Sequence, residues 1–264
     1  MSVDDRKQYH TGLERSQIGN AEFAILPGDP GRVPELAKAL DKNARAIHMH
    51  REYNSWMVTV DSVPVLVCST GIGGPSTAIA VEELAQLGVK NFIRVGTTGS
   101  IQKDIEFGDI VISLAAVRLD GASTHYAPIE YPAVASLWLT NALVNAAEKL
   151  KIPFHVGITA SSDTFWPGQE RYDNYSGYVL RRFLGSVEEW RKLNVTNFEM
   201  EAATLFTMCS AFGLSAACLC GVIAKRTESE EVNLEAYAVA FSRLAKIIRG
   251  AIINHPKPIS RIRS

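Results

Sequence analysis

Apolar residues along this chain fall into two alternating patterns. Short continuous runs, several of them β-branched, occupy Phe23–Leu26, Trp56–Val60, Val63–Ser69, Asn91–Val95, Asp109–Leu114, His155–Ser161 and Ala216–Ile223. Runs of this length predict strands buried on both faces of a sheet. Between them lie stretches with helical spacing, which predict helices starting near Gly31, Pro75, Ala133, Glu201 and Asn233. The third helix carries apolar residues at 139, 142, 143, 146, 147 and 150. The last carries them at Tyr237, Ala240, Phe241, Leu244, Ile248, Ala251 and Ile252, and both are one-sided stripes of an amphipathic helix. Strands alternating with helices predict an α/β sandwich. The segment 162–196 breaks the pattern. It is rich in Gly, Tyr, Arg and Ser and poor in β-branched residues, as expected of an insertion over a binding site. The end, 255–264, holds Lys257, Arg261, Arg263 and two prolines and reads as a flexible basic tail.

Composition narrows the class without naming it. The chain has 264 residues, 47% hydrophobic and 21% charged, with a net charge of −1. Its length slightly exceeds the roughly 250 residues that one α/β domain reaches, so a single domain over 1–264 is expected. The balanced charge gives no electrostatic case for nucleic acid or an anionic membrane as partner. The N-terminus has no apolar signal-like stretch, and the longest membrane-like run, Leu214 to Ala224, is 11 residues. A span needs about 20, so a cytoplasmic protein is the expectation. Cys68, Cys209, Cys218 and Cys220 each lie in an apolar run and read as buried free thiols. No second Cys/His pair accompanies Cys218-x-Cys220, which argues against zinc.

Six segments carry candidate chemistry. In Thr-Phe-Trp-Pro-Gly-Gln-Glu-Arg-Tyr, residues 164–172, an amide (Gln169) and a guanidinium (Arg171) stand two apart in an aromatic loop. Gln supplies an acceptor and a donor pair, and Arg supplies donors. Together they match the carbonyl, N–H, carbonyl edge of uracil, whereas a purine would leave some of those groups unpaired. Pro27-Gly28-Asp29-Pro30-Gly31-Arg32 links a strand to a helix, with an open backbone N–H at Gly28 and a forked donor at Arg32 suited to an anion. An ordinary turn with an exposed arginine fits it equally. Ser69–Ser76 contains Gly71-x-Gly73 but lacks the third glycine and the distant acid of a dinucleotide fingerprint. It reads as a glycine loop feeding a helix, with Pro75 in the first turn. Arg94-Val95-Gly96-Thr97-Thr98-Gly99-Ser100 places an arginine inside an apolar strand, which is costly unless the charge is paired or functional. Asn197-Phe198-Glu199-Met200-Glu201 puts two carboxylates at a strand-to-helix junction. They suit a ribose diol, or they stabilise the helix N-terminus. Ile223-Ala224-Lys225-Arg226-Thr227 ends the last strand with two cations that suit a leaving group gaining charge, or a solvated loop.

Taken in this order, the segments resemble the pyrimidine branch of the first nucleoside phosphorylase family. Gly71, Ile72, Gly73, Pro75, Ser76, Ile79, Glu83 and Leu84 fit its signature, and the likeness runs from about Tyr9 to Ile253. The resemblance implies a single-domain three-layer α/β/α sandwich with a mixed, partly barrel-like central sheet. It implies reversible cleavage of uridine by phosphate to uracil and ribose 1-phosphate. Phosphate would be held by Gly28, Arg32, Arg94 and Thr97, with Arg51 of a neighbouring subunit. Ribose would be held by Glu201, Met200 and Arg94, with Glu199 nearby and His10 of the neighbour at the 5′-hydroxyl. Thr98, Phe165, Gln169, Arg171, Ile223 and Arg226 would surround the base. Glu52, Ile72 and Ser76 match positions that in some relatives hold a monovalent cation such as potassium between subunits. The assembly implied is a hexamer, a trimer of dimers.

Such chemistry asks for electrostatic preorganisation and positioning. Phosphate is the co-substrate, and neither a covalent nucleophile nor a redox cofactor is required. Two departures stand out: Trp166 where relatives have tyrosine, and Lys225 where asparagine is usual. A purine nucleoside phosphorylase would carry an acid near Arg226, and Lys225-Arg226-Thr227 has none. A nucleosidase would not need Arg32, Arg51 and Arg94. A non-catalytic nucleoside-binding protein would bind without turnover.

Overall fold

The computed structural model describes residues 6–227, 229 and 232–254, so the expected basic tail lies outside the described residues. In chain order the elements are α1 (Arg15–Ile18), β1 (Phe23–Pro27), α2 (Val33–Leu40), β2 (Arg45–His50), β3 (Tyr53–Val60), β4 (Val63–Cys68), α3 (Gly74–Gln86), β5 (Asn91–Ser100), β6 (Ile110–Leu119), β7 (Ala133–Val134), α4 (Leu137–Lys149), β8 (Phe154–Ser162), α5 (Ser186–Lys192), β9 (Val195–Glu199), α6 (Ala202–Phe212), β10 (Ser215–Lys225) and α7 (Leu234–Ile253).

One mixed sheet runs through the molecule, and β5 is its pivot. Over Asn91–Val95, β5 lies between β1 and β10, parallel to both. Its last residues leave β1 and pair antiparallel with β9, Gly99 opposite Phe198 and Ser100 opposite Asn197. That change of partner closes β5, β10, β6, β8 and β9 into a barrel, while β1, β4, β3 and β2 continue as an open wing. Helices cover both faces. α2, α4 and α7 pack on the side of Ile25, Val67, Ile93 and Leu219. α3 and α6 pack on the side of Leu26, Leu66, Phe92 and Cys218. The result is the expected three layers. Each large side chain buried here, such as Phe92 or Phe206, contributes about 1.5–3 kcal/mol relative to exposure.

Three elements depart from the sequence pattern. The helix expected near Ala133 begins at Leu137, because Ala133 and Val134 pair with Ala116 and Ala115 of β6. Strand β2 went unpredicted because Arg45–His50 is an edge strand, largely exposed and without an apolar run. Strand β9, anticipated only as a strand-to-helix junction, has no apolar run because Thr196, Asn197 and Glu199 are buried polar residues in a strand. The segment 162–196 leaves from the last residue of β8 and returns in the first residues of β9, with two 3-10 turns and α5 between. All four cysteines are free and buried, as expected. Cys218 and Cys220 share a strand face, with their sulfurs 3.9 Å apart. No described helix is long and apolar enough to cross a membrane.

Candidate active site

Arg94 explains itself once its partners are in place. Its Nε donates to Glu199 Oε2 at 2.8 Å, and its Nη2 pairs with Glu201 Oε2. The two acids have different duties. Glu199 closes β9, and its carboxylate also accepts the backbone N–H groups of Glu201 (2.8 Å) and Ala202 (2.9 Å), so it caps α6. Glu201 turns toward the glycine loop instead, where its Oε1 accepts from Gly73 N at 2.6 Å. Glu199 thus fits the helix-stabilising reading of this acidic pair, while Glu201 lies between Arg94 and the glycine loop. Met200 is half-buried between them. Burial works against the charge of Arg94, but Glu201 and Glu199 outweigh it and raise the guanidinium pKa, keeping it charged. Burial raises the pKa of Glu201, Arg94 pulls it down, and the Glu199 charge pushes it up again, with a net rise. Each carboxylate oxygen has two lone pairs, so Glu201 keeps acceptor capacity for a diol.

The β1 turn adjoins this cluster. The register Leu26↔Arg94 and Pro27↔Val95 carries Gly28 alongside the outgoing half of β5. A Cβ on Gly28 would lie 3.2 Å from the Gly71 carbonyl and 4.0 Å from Arg94 Nη1. A side chain there would fill the space that Nη1 faces, which is why the position suits glycine. Arg32 lies above, its Nη1 donating to Thr97 Oγ1 at 3.3 Å and its guanidinium carbon 5.1 Å from the Tyr237 ring centroid.

The aromatic loop approaches from β8. Gln169 and Arg171 are buried, and the Arg171 guanidinium lies 4.1 Å over the Phe165 ring. Phe165 itself is partly exposed and meets Trp166 edge-on at 5.3 Å, so the larger ring at 166 packs on its neighbour. Arg226 passes over Gly99 and Phe198 and donates from Nη2 to the Gln169 carbonyl at 2.8 Å. It thus fastens the loop to the end of β10. Ile223 sits where β10 slips register against β5 between Val222 and Ala224, a bulge of the kind that re-aims side chains beside sites. Thr98 is committed within the barrel: its hydroxyl donates to Phe198 O (2.6 Å) and accepts from Asn197 Nδ2 (2.8 Å). Lys225 Nζ lies 2.8 Å from Glu106 Oε2.

The remaining candidates gather around Glu83, Tyr9 and Gly71. His10 binds Glu83 through Nδ1 and its backbone N–H, both at 2.8 Å. Arg51, in the β2–β3 turn at φ +54°, lies 5.4 Å over the Tyr9 ring. His50 Nδ1 contacts the His10 carbonyl at 2.7 Å. Next to them a Cβ on Gly71, itself at φ +73°, would meet Glu52 Cγ at 2.9 Å and Ser76 Oγ at 3.2 Å. Ser76 Oγ donates to the Ile72 carbonyl at 3.1 Å, and the Ile72 side chain is 75% exposed. Glu52, Ile72 and Ser76 thus offer carboxylate, carbonyl and hydroxyl oxygens in one place, a donor set suited to a hard cation. No cluster of three His, Cys, Asp or Glu occurs among the described residues. Sequence reasoning missed two supports: Ser161, whose hydroxyl accepts from Ala203 N at 3.1 Å, and Asn197 behind Thr98. A polar residue in an otherwise buried strand was the available signal.

The geometry defines an α/β enzyme scaffold with an arginine–carboxylate cluster and a cation-lined loop at the barrel mouth. A family model described as the phosphorylase superfamily matches residues 22–253, and the chain belongs to that superfamily. Among curated relatives, a uridine phosphorylase of Salmonella typhimurium is 54% identical over 91% of this chain and 94% of its own length. One of Haemophilus influenzae is 56% identical over 85% and 89%. A guanosine phosphorylase of Halorubrum lacusprofundi is 39% identical over 82% and 83%, so membership alone does not fix the base.

Proposed function

We infer that this chain is a pentosyltransferase, a nucleoside phosphorylase that cleaves uridine reversibly with phosphate to uracil and ribose 1-phosphate. The observation that carries the pyrimidine reading is the buried Gln169–Arg171 pair, seated on Phe165 and clamped by Arg226. Gln169 and Arg171 pair with the uracil edge, with Phe165, Ile223 and Thr98 around the ring and Arg226 near the exocyclic oxygen. Glu201, with Met200 and Arg94, orders the ribose hydroxyls, while Glu199 holds the cluster in register. Gly28, Arg32, Arg94 and Thr97 receive phosphate below C1′. Cleavage leaves positive charge on the sugar and negative charge on the base. Phosphate stabilises the first and attacks it, and the loop donors stabilise the second.

The charge balance supports a site completed by a second copy. Arg94 faces two carboxylates, Glu199 and Glu201, so within one chain it brings no surplus positive charge to a phosphate. Arg32 adds one cation, and Arg51 and His10, which contact Tyr9 and Glu83 in their own chain, supply a neighbour's site. The assembly is then a hexamer built from dimers, with Glu52, Ile72 and Ser76 holding a potassium ion across the dimer. The segment 162–196 serves as the specificity insertion of a single domain, and the enzyme works in cytoplasmic pyrimidine salvage.

The test is uracil release followed by absorbance, with and without phosphate, with inosine in parallel. Phosphate-dependent release from uridine alone is expected. Release without phosphate would make the protein a nucleosidase, inosine cleavage would overturn the base reading, and binding without turnover would leave a nucleoside-binding protein.

A further inference from the structure

Between the two proposed base readers stands a residue with no role in the reaction as described. Glu170 has φ +53° and ψ +45°, a left-handed conformation that costs energy for any residue with a Cβ. The kink sends neighbouring side chains apart: Gln169 and Arg171 are buried, whereas Glu170 lies half-exposed on the other side of the loop. There its carboxylate accepts from the backbone N–H groups of Gly185 and, at 2.8 Å, Val187. The Ser186 hydroxyl at 3.4 Å and the Tyr172 hydroxyl at 3.1 Å complete the set. These N–H groups are the ones that the start of α5 leaves without helical partners.

Helix α5 is in turn fixed to the barrel. Arg191 Nε donates to Ile101 O at 2.8 Å, and Gln102 Nε2 donates to the carbonyls of Arg191 (3.0 Å) and Val195 (2.7 Å). Val187 and Trp190 pack on Ile101, Ala160, Val195 and Phe198. A continuous path therefore runs from the end of β5 through α5 and the Glu170 carboxylate to the backbone joining Gln169 to Arg171. Arg226 holds the same turn from the opposite side, through the Gln169 carbonyl.

We propose that Glu170 is the positioning residue of the base loop: by tying the loop to the start of α5 it sets Gln169 and Arg171 at the spacing that reads the base. The proposal rests on the assignment of those two residues as base readers. Without the carboxylate the left-handed kink loses its compensation, and the two side chains are held from one side.

The experiment compares Glu170→Ala, Glu170→Gln and Glu170→Gly with Gln169→Ala in steady-state phosphorolysis of uridine, varying uridine and phosphate separately. Glu170→Ala is expected to lower kcat/KM for uridine by about 10- to 100-fold, the scale of an ångström-level misplacement, with the KM for phosphate unchanged. Glu170→Gln keeps an acceptor oxygen for Val187 N and recovers part of the loss. Glu170→Gly relieves the strained backbone but lacks the carboxylate, and stays as impaired as the alanine variant. Wild-type kcat/KM in Glu170→Ala, equal losses for uridine and phosphate, or full recovery in Glu170→Gly would each overturn the proposal. Should Glu170→Ala not fold, Glu170→Gln decides by the same readouts. An impaired Gln169→Ala beside a normal Glu170→Ala would sink the positioning role alone. A normal Gln169→Ala would remove the base-reader assignment, and the proposal with it.

Discussion

Replacing Arg94 with methionine separates the two duties of the arginine–carboxylate cluster. Methionine keeps much of the stem volume and removes the charge. The Glu199 and Glu201 side chains retain only 1% and 4% of their exposure, so the change strands two buried carboxylates. Breaking a buried pair by removing one partner costs about 3–5 kcal/mol, out of a total stability of roughly 5–15 kcal/mol. At about 2–4 °C per kcal/mol for a chain of this size, Tm falls by about 6–20 °C. The two acids should not respond alike. Glu199 keeps the N–H groups of Glu201 and Ala202, whereas Glu201 keeps Gly73 N and loses the cation that pulled its pKa down. The folded-state pKa of Glu201, already raised by burial, rises further in the variant. The folded protein then binds more protons than the unfolded chain, so stability falls as pH rises through that pKa and is regained toward the unfolded value of about 4.3. Thermal unfolding by circular dichroism at pH 5 and pH 7 should show the deficit of R94M against wild type narrowing at pH 5. R94M/E201Q should recover part of the Tm at pH 7 with phosphorolysis still lost. A deficit independent of pH, no recovery in the double variant, or near-normal phosphorolysis in R94M would refute the reasoning.

Three further outcomes follow from particular contacts. Tyr237→Ala removes the ring beside Arg32 and should raise the KM for phosphate by about 2- to 30-fold, the range of a 0.5–2 kcal/mol cation–π contact, while Tyr237→Phe should not; steady-state kinetics with varied phosphate reads both. Thr98→Val leaves Phe198 O and Asn197 Nδ2 without their partner and should cost about 1–3 kcal/mol in denaturant unfolding, with a smaller effect on uridine kcat/KM than Gln169→Ala. Burial pushes Cys68 up to about 12, and the hydrogen bond with Cys220, then burial, raises Cys218. All four thiols are buried, so native protein should release no thiol signal with an aromatic disulfide at neutral pH, and denatured protein should release four equivalents, the number of cysteines in the chain.

The buried strands were legible because continuous apolar runs have few other uses in a chain this size. β1, β4, β5 and β10 fell where the runs lie. What escaped was structure whose stabilisation is not local. β9 shows in the sequence only as a junction, and its burial is fixed by its neighbours: Asn197 donates to Thr98 and accepts from Thr159, and Glu199 accepts from Arg94 and from the first N–H groups of α6. Barrel closure is likewise a change of partner along β5, which no period within β5 encodes. The same limit applied to the site. Arg94 advertised itself as a charge out of place, but dividing Glu199 from Glu201 required the fold that turns one toward α6 and the other toward Gly73.

That division bears on why the pocket carries so many cations. A guanidinium neutralised by two carboxylates fixes geometry better than it attracts an anion. In the proposed site, phosphate affinity then rests on Arg32 and on charge outside this cluster. Under the proposed reading Arg51 serves that duty in a second copy: it stands exposed over the Tyr9 ring, in the turn after His50. If a second copy supplies it, Arg51→Ala should raise the KM for phosphate without changing Tm, because an exposed turn residue holds little of the fold. It should also fail to complement Arg94→Met subunits in mixed assemblies only where the two changes meet in one site. Assemblies refolded from equal parts of the two variants should then regain phosphorolysis from the sites that carry neither change. No regained activity, with mixed assembly verified by mass, would place the phosphate site wholly within one chain.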